Sequence, residues 1–307
     1  MRKAPATLVG AAIIAGAAFW ILSKPQPLTD AELSGLSAGD ATRGETLFWA
    51  GGCASCHAGK DTEGDDKLKL GGGHRLVTAA GTFVTPNISS DAGSGIGDWS
   101  GADFANAMLR GISPSGAHLY PAYPYTSYAR MSVADIADLW AFMKTLPAVS
   151  QPNEGNELSF PFSISRGIGL WKLVYMRPEI DITPEPTEEK IARGRYLVEG
   201  PGHCGECHTP RTAAGYGGID YSRWLSGGPA PEGDGRVPNI TPSDDGIGSW
   251  SEADISYYLE TGLTPEYDSV GGSMVSVQQN MAKLPAADRE AIAAYLKWIY
   301  PVTGDGS

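Results

Sequence analysis

A run of nineteen residues without a charge, Ala4 to Leu22, follows Arg2 and Lys3, and polar sequence resumes at Lys24 and Pro25. An apolar span of about twenty residues is long enough to cross a bilayer, so this segment predicts an N-terminal transmembrane helix. It closes on Phe19-Trp20-Ile21-Leu22, where a cleaved secretory signal would carry small residues, and this favours a retained anchor. Positive charge ahead of the span predicts a cytoplasmic N-terminus and an exported remainder. The expected placement is a single pass through the inner (cytoplasmic) membrane with the globular part in the periplasm.

Beyond the span, apolar residues recur at helical spacing. Phe104, Ala107 and Met108 form one such stripe and Ile255, Tyr258 and Leu259 another; Leu139, Phe142, Met143 and Leu146 are matched by Ile292, Tyr295, Leu296 and Ile299. These are i, i+3, i+4, i+7 patterns. Ser100 with Asp103, and Ser251 with Asp254, have the spacing of capping boxes, and Gly111 and Gly262 stand where helices stop. Earlier helices are suggested at 43–48, opened by Arg43-Gly44, and at 193–198, opened by Arg193-Gly194. No convincing alternating strand pattern appears, so the expected class is all-α.

The two sets of helices belong to a duplication. Cys53-Ala54-Ser55-Cys56-His57 aligns with Cys204-Gly205-Glu206-Cys207-His208, Pro86-Asn87-Ile88 with Pro238-Asn239-Ile240, and Gly95-Ile96-Gly97-Asp98-Trp99-Ser100 with Gly246-Ile247-Gly248-Ser249-Trp250-Ser251, in the same order. The expected organisation is an anchor at 1–26, a first domain at 27–148, a linker with an apolar insert at 149–188 and a second domain at 189–307. In the linker, Ile168, Leu170, Trp171, Leu173, Val174 and Tyr175 are expected to cover the cleft between the domains.

Composition adds that Gly 40 and Pro 22 make about a fifth of 307 residues, so long turn-rich loops should join the helices. The formal net charge of −12 argues against nucleic acid as a partner and favours docking onto basic protein surfaces.

All four cysteines lie in the two C-x-x-C-H motifs. That spacing lets two thiols reach the two vinyl groups of one porphyrin while the adjacent histidine turns under the iron, the attachment signature of a c-type haem. Two copies in register predict two covalently bound haem c groups, with Cys53, Cys56, Cys204 and Cys207 as anchors and His57 and His208 as iron ligands. A zinc site wants its cysteine pairs about 15–20 residues apart, and a thioredoxin-like pair wants a βαβ setting; neither condition is met. The sixth ligand of the second iron is expected to be Met274, in a loop ahead of the last helix. In the first half that register holds Tyr123, and Met131, with His118 as the alternative, is the candidate; an open or tyrosine-blocked iron is the third possibility. Arg75 and Arg211, and with them Arg236, have the guanidinium geometry to pair with haem propionates. Trp99 and Trp250 are expected to wall the pockets, and His74 and His203 to be loop residues.

Several stretches resemble the cytochrome c subunit of membrane-bound bacterial dehydrogenases of the alcohol and gluconate type: Thr85-Pro86-Asn87-Ile88, Gly95 to Ser100, His118-Leu119-Tyr120-Pro121, Phe160-Pro161-Phe162 with Gly169-Leu170-Trp171-Lys172, and the segment Leu197-Val198-Glu199-Gly200-Pro201-Gly202-His203 that leads into Cys204 and ends at Thr209-Pro210-Arg211. The resemblance covers nearly all of 40–300 and implies two tandem class I cytochrome c domains that relay electrons from a dehydrogenase toward quinone or an oxidase. Such subunits often carry Met where this chain has Tyr123. The expected function is therefore a membrane-anchored dihaem electron carrier and not an enzyme, with a periplasmic dehydrogenase, a quinone-linked complex or a terminal oxidase as partner. Its rivals are a dihaem enzyme whose open first haem acts on peroxide or a sulfur oxyanion, and a cytochrome subunit of an oxidase complex.

Overall fold

The computed structural model describes residues 4–60, 62–179, 181–212, 217–231 and 235–304, with the backbone alone at 4–7. After α1 (Ala4–Leu22) come α2 (Ala41–Ala50), the short α3 (Cys53–His57), a hairpin of β1 (Arg75–Thr78) and β2 (Gly81–Val84), then α4 (Gly101–Arg110), α5 (Tyr125–Tyr128) and α6 (Val133–Met143). β3 (Glu157–Leu158) and α7 (Ile168–Tyr175) lie in the connection. α8 (Glu189–Glu199), α9 (Gly205–His208), β4 (Gly228–Pro229), β5 (Arg236–Val237), α10 (Glu252–Thr261), α11 (Met274–Met281) and α12 (Ala286–Trp298) then repeat the order of the first half.

In each half the first helix crosses the last, α2 on α6 and α8 on α12. The Arg-Gly pair that opens each first helix explains the crossing. A Cβ at Gly44 would lie 2.0 Å from the Asp138 carbonyl oxygen, and one at Gly194 would lie 1.9 Å from that of Ala291; only glycine allows backbones so close. The neighbouring arginine then clamps the pair. Arg43 donates from Nε and Nη2 to the Asp138 carboxylate at 2.6 and 2.9 Å, and Arg193 does the same to Asp288 at 2.8 and 2.9 Å, a two-pronged geometry that matches a carboxylate. Around these crossings Phe48, Ile136, Leu139, Leu197, Val198 and Tyr295 are buried. Both capping boxes form as their spacing predicts, Ser100 with Asp103 and Ser251 with Asp254, and Gly111 and Gly262 end their helices in the left-handed conformation.

Two expectations are corrected. The chain is not all-α: it is about 43% helical and carries strands. β1, β2 and β3 form an antiparallel sheet with Arg75 opposite Val84 and Thr82 opposite Glu157, and β4 pairs with β5. Loop backbone groups must find partners, and here the long Gly-rich loops find them in short ladders. The second correction concerns the membrane. Among the described residues no helix is long and apolar enough to cross one. Arg2 and Lys3, which gave the orientation, lie outside the described residues. The end of α1 is instead built into the folded body: Ser23 is fully buried, Arg166 donates to Ser23 Oγ at 2.8 Å and to the Trp20 carbonyl at 2.7 Å, and its guanidinium lies 4.2 Å from the Trp20 ring centre. The expected transmembrane helix, and with it the single-pass inner-membrane placement, is set aside.

α7 touches both halves. Lys172 donates to the Arg110 and Gly111 carbonyls at 2.6 and 2.8 Å, and Tyr175 packs against Gly218, where a Cβ would meet it at 2.7 Å.

Candidate haem sites

Each C-x-x-C-H motif is a tight helical turn with its histidine held from one side. His57 Nδ1 lies 2.8 Å from the Pro86 carbonyl oxygen, and His208 Nδ1 lies 2.8 Å from that of Pro238. A carbonyl only accepts, so Nδ1 carries the proton and Nε2 keeps its lone pair. Burial pulls both imidazoles below their ordinary pKa, which favours the neutral ring. A neutral ring with one nitrogen anchored and the other free is what a metal-ligating histidine needs.

The Pro-Asn-Ile repeats supply this anchor. Asn87 Nδ2 donates to the Val149 and Gln151 carbonyls at 2.7 and 3.1 Å, and Asn239 Nδ2 to that of Val302 at 2.7 Å, which ties each proline loop to the chain beyond the last helix. The backbone of the turn is fixed as well: the His57 carbonyl accepts from Gly72 N–H at 2.8 Å and the His208 carbonyl from Gly227 N–H at 2.7 Å. Pro86 and Pro238 had no role in the sequence reading; their repetition in register was the available signal.

All four cysteines are free of disulfides. Burial pushes the Cys53 and Cys204 thiols up to about 12, the opposite of the depressed value that marks a redox-active dithiol. Among the described residues no three His, Cys, Asp or Glu side chains converge as a metal site. The residues therefore fit a porphyrin, which brings its own equatorial nitrogens and asks the chain for thioether anchors and axial ligands.

The other candidates are placed as follows. Met274 is half-buried at the start of α11 and packs against the core, with Met281 fully buried at its end. Met131 is buried, with its Cγ 3.8 Å from where a Cβ on Gly200 would sit. His118 is buried, with Nε2 2.9 Å from the Ser23 carbonyl oxygen. The Tyr123 hydroxyl donates to Met108 Sδ of the apolar stripe on α4, and its ring packs edge-on against Tyr125 and Tyr128. Arg75 is bound to Glu154 at 3.0 Å and Glu157 at 2.6 Å, whereas Arg211 is bound to Glu206 of the second motif. Trp99 and Trp250 are half-buried against the core.

The two turns are also held by each other's halves. Asn280 of α11 donates to Ser55 Oγ of the first motif at 2.7 Å. Glu206 of the second motif is buried and accepts from Thr126 Oγ1 and, at 2.9 Å, from Ser127 Oγ, both on α5. A helix of each half, α11 of the second and α5 of the first, thus reaches the attachment turn of the other.

What the turns offer, two thiols and one axial nitrogen apiece, is the chemistry of a c-type cytochrome. The chain belongs to the dihaem c-type cytochromes, a family shared with the cytochrome subunits of dehydrogenases, and carries two covalently bound haem c groups. The cytochrome c family profile matches residues 41–147. A dihaem cytochrome c-type protein of Cereibacter sphaeroides is 52% identical over 97% of this chain and 98% of its own length. The fructose dehydrogenase cytochrome subunit of Gluconobacter japonicus and the gluconate 2-dehydrogenase cytochrome c subunit of Pantoea cypripedii are each 37% identical, over 83% and 88% of this chain. The chain spans 52% and 62% of the length of those two subunits. With them it stands as an electron-transfer protein and not itself an enzyme.

Proposed function

We propose that this chain relays electrons between a dehydrogenase and a respiratory acceptor, either a quinone-linked complex or a terminal oxidase. The observation that carries the reading is the pair of identically anchored imidazoles, His57 on Pro86 and His208 on Pro238, on the only four cysteines of the chain. In this reading 27–148 and 189–307 are two haem modules joined by 149–188. Cys53 and Cys56 anchor one haem and Cys204 and Cys207 the other. His57 and His208 fill the proximal positions, Met274 the distal position of the second, and Met131, with His118 as alternative, that of the first. Bound haem supplies a one-electron ferric/ferrous couple. The chain's own residues fix where that couple sits: the proline carbonyls hold the imidazoles, the Arg–Asp clamps close the helices, and the apolar core excludes water. Arg211, already tied to the second motif through Glu206, is placed to neutralise a propionate; Arg75 would have to exchange its bonds to Glu154 and Glu157 to do so.

The dehydrogenase partner is supported by relatives that are cytochrome subunits of fructose and gluconate dehydrogenases. Stopped-flow mixing of the oxidised holoprotein with a sugar-reduced dehydrogenase of that kind tests it. Reduction of both haems, one electron each, is expected; failure to accept electrons from any such donor contradicts the reading.

A further inference from the structure

We propose that His203 is the electron bridge between the two haem-attachment turns. This inference rests on the dihaem relay reading above. The duplication places Gly52 and His203 at the same position, directly before Cys53 and Cys204, and both adopt the left-handed conformation, at φ 60° and 39°. Glycine does so freely; a histidine there is strained, and such strain persists where the surroundings use the side chain. The first half shows that glycine serves the turn itself, so the second half holds its histidine for what the ring reaches.

It reaches the other half. His203 Nε2 lies 3.3 Å from the Gly51 carbonyl oxygen, and since a carbonyl only accepts, Nε2–H is the donor. The same oxygen accepts from Tyr128 OH at 2.9 Å, and the His203 ring stands edge-on to Tyr128 with centres 5.6 Å apart. A Cβ at Gly52 would be 3.9 Å from His203 Nε2 and 3.6 Å from Asn280 Nδ2. From Cys204 the route runs through one peptide bond to His203, along its side chain, across one hydrogen bond to Gly51, and through Gly52 to Cys53. Both ends are thioether anchors, and a single non-covalent step separates them. The reciprocal bonds Asn280–Ser55 and Ser127–Glu206 hold the turns at this separation. One electron crosses per event: one iron passes from ferrous to ferric as the other passes from ferric to ferrous. No proton moves, and no bond forms or breaks. His203 acts as a positioning and coupling residue, and ligates neither iron.

The test is pulse radiolysis of the intact dihaem protein, following electron equilibration between the haems after one is reduced, beside a redox titration and haem quantification of each variant. His203→Leu is expected to slow equilibration severalfold with haem content and both midpoint potentials unchanged, and His203→Gln, which keeps an amide donor at similar reach, to restore it. His203→Asn tolerates the left-handed backbone yet is too short to reach Gly51, so it reads the same loss should the leucine variant assemble poorly. Unchanged equilibration in a fully loaded His203→Leu or His203→Asn protein overturns the bridge and leaves the relay standing. No exchange between the haems of the wild-type protein overturns both.

Discussion

At the scale of single residues, the axial positions carry the chemistry and give the sharpest expectations. Met274→Ala should convert one ferric haem from low-spin to high-spin in EPR and lower its potential, since thioether ligation raises it. The same spectrum recorded for Met131→Ala and His118→Ala identifies the distal ligand of the first haem by whichever substitution creates a second high-spin signal; no change in either contradicts both assignments. Lys172 gives a pH dependence of a different origin. Burial lowers its ammonium from the ordinary 10.5 to about 7, so between those values the unfolded chain binds more protons than the folded one, and stability rises with pH. The thermal midpoint of the wild-type holoprotein, measured relative to Lys172→Met, should therefore climb between pH ~7 and ~10.5 and be flat outside that window. The motif residues were legible in sequence because their chemistry is local, two thiols and a ring within five positions. Pro86 and Pro238 were visible only as a repeat, because what they contribute is a backbone carbonyl whose target lies 29 and 30 positions away.

Among the elements, the crossings of α2 with α6 and of α8 with α12 hold each half together. Gly44→Ala should destabilise the holoprotein by about 1–3 kcal/mol or more, the cost of overpacking a close contact, and Gly194→Ala by a similar amount; denaturant unfolding followed by far-UV circular dichroism reads both. Arg43→Ala leaves a buried carboxylate on Asp138 without its partner and should cost about 1–3 kcal/mol. The helices α2, α4, α6, α8, α10 and α12 were legible, with the capping boxes of α4 and α10, because the apolar stripes and the S-x-x-D boxes are contiguous signals; α5, α7 and α11 were not, and Met274, expected in a loop, opens α11. Arg43 and Arg193 were seen only as helix openings, since each partner lies 95 positions further on. The hairpin of β1 and β2 escaped because its strands are four residues each, Arg75-Leu76-Val77-Thr78 and Gly81-Thr82-Phe83-Val84, with apolar residues side by side, and so lack in sequence the alternation that marks a half-buried strand. The apolar run at the N-terminus carried the hydropathy of a span, but hydropathy does not register that its end, through Trp20 and Ser23, is bound by Arg166 from the connecting stretch.

For the whole molecule, the formal charge of −12 predicts that the second-order rate of reduction by a partner with a basic docking face falls steeply with added salt, because screening shortens to about 10 Å at 0.1 M; a rate indifferent to ionic strength would place the encounter on apolar contacts. The duplication was plain in the sequence, whereas the reciprocal grip of its halves was not: Ser55 and Glu206 look like spacer residues of C-x-x-C-H until Asn280, Thr126 and Ser127 are seen on them. The account as a whole rests on two one-electron centres, each closed by two axial ligands. A redox-poised optical and EPR titration of the purified holoprotein, repeated with cyanide, tests this most directly. Two low-spin haems per chain, each titrating with one electron and neither responding to cyanide, is the predicted result; a haem that is high-spin at rest and binds cyanide would contradict it.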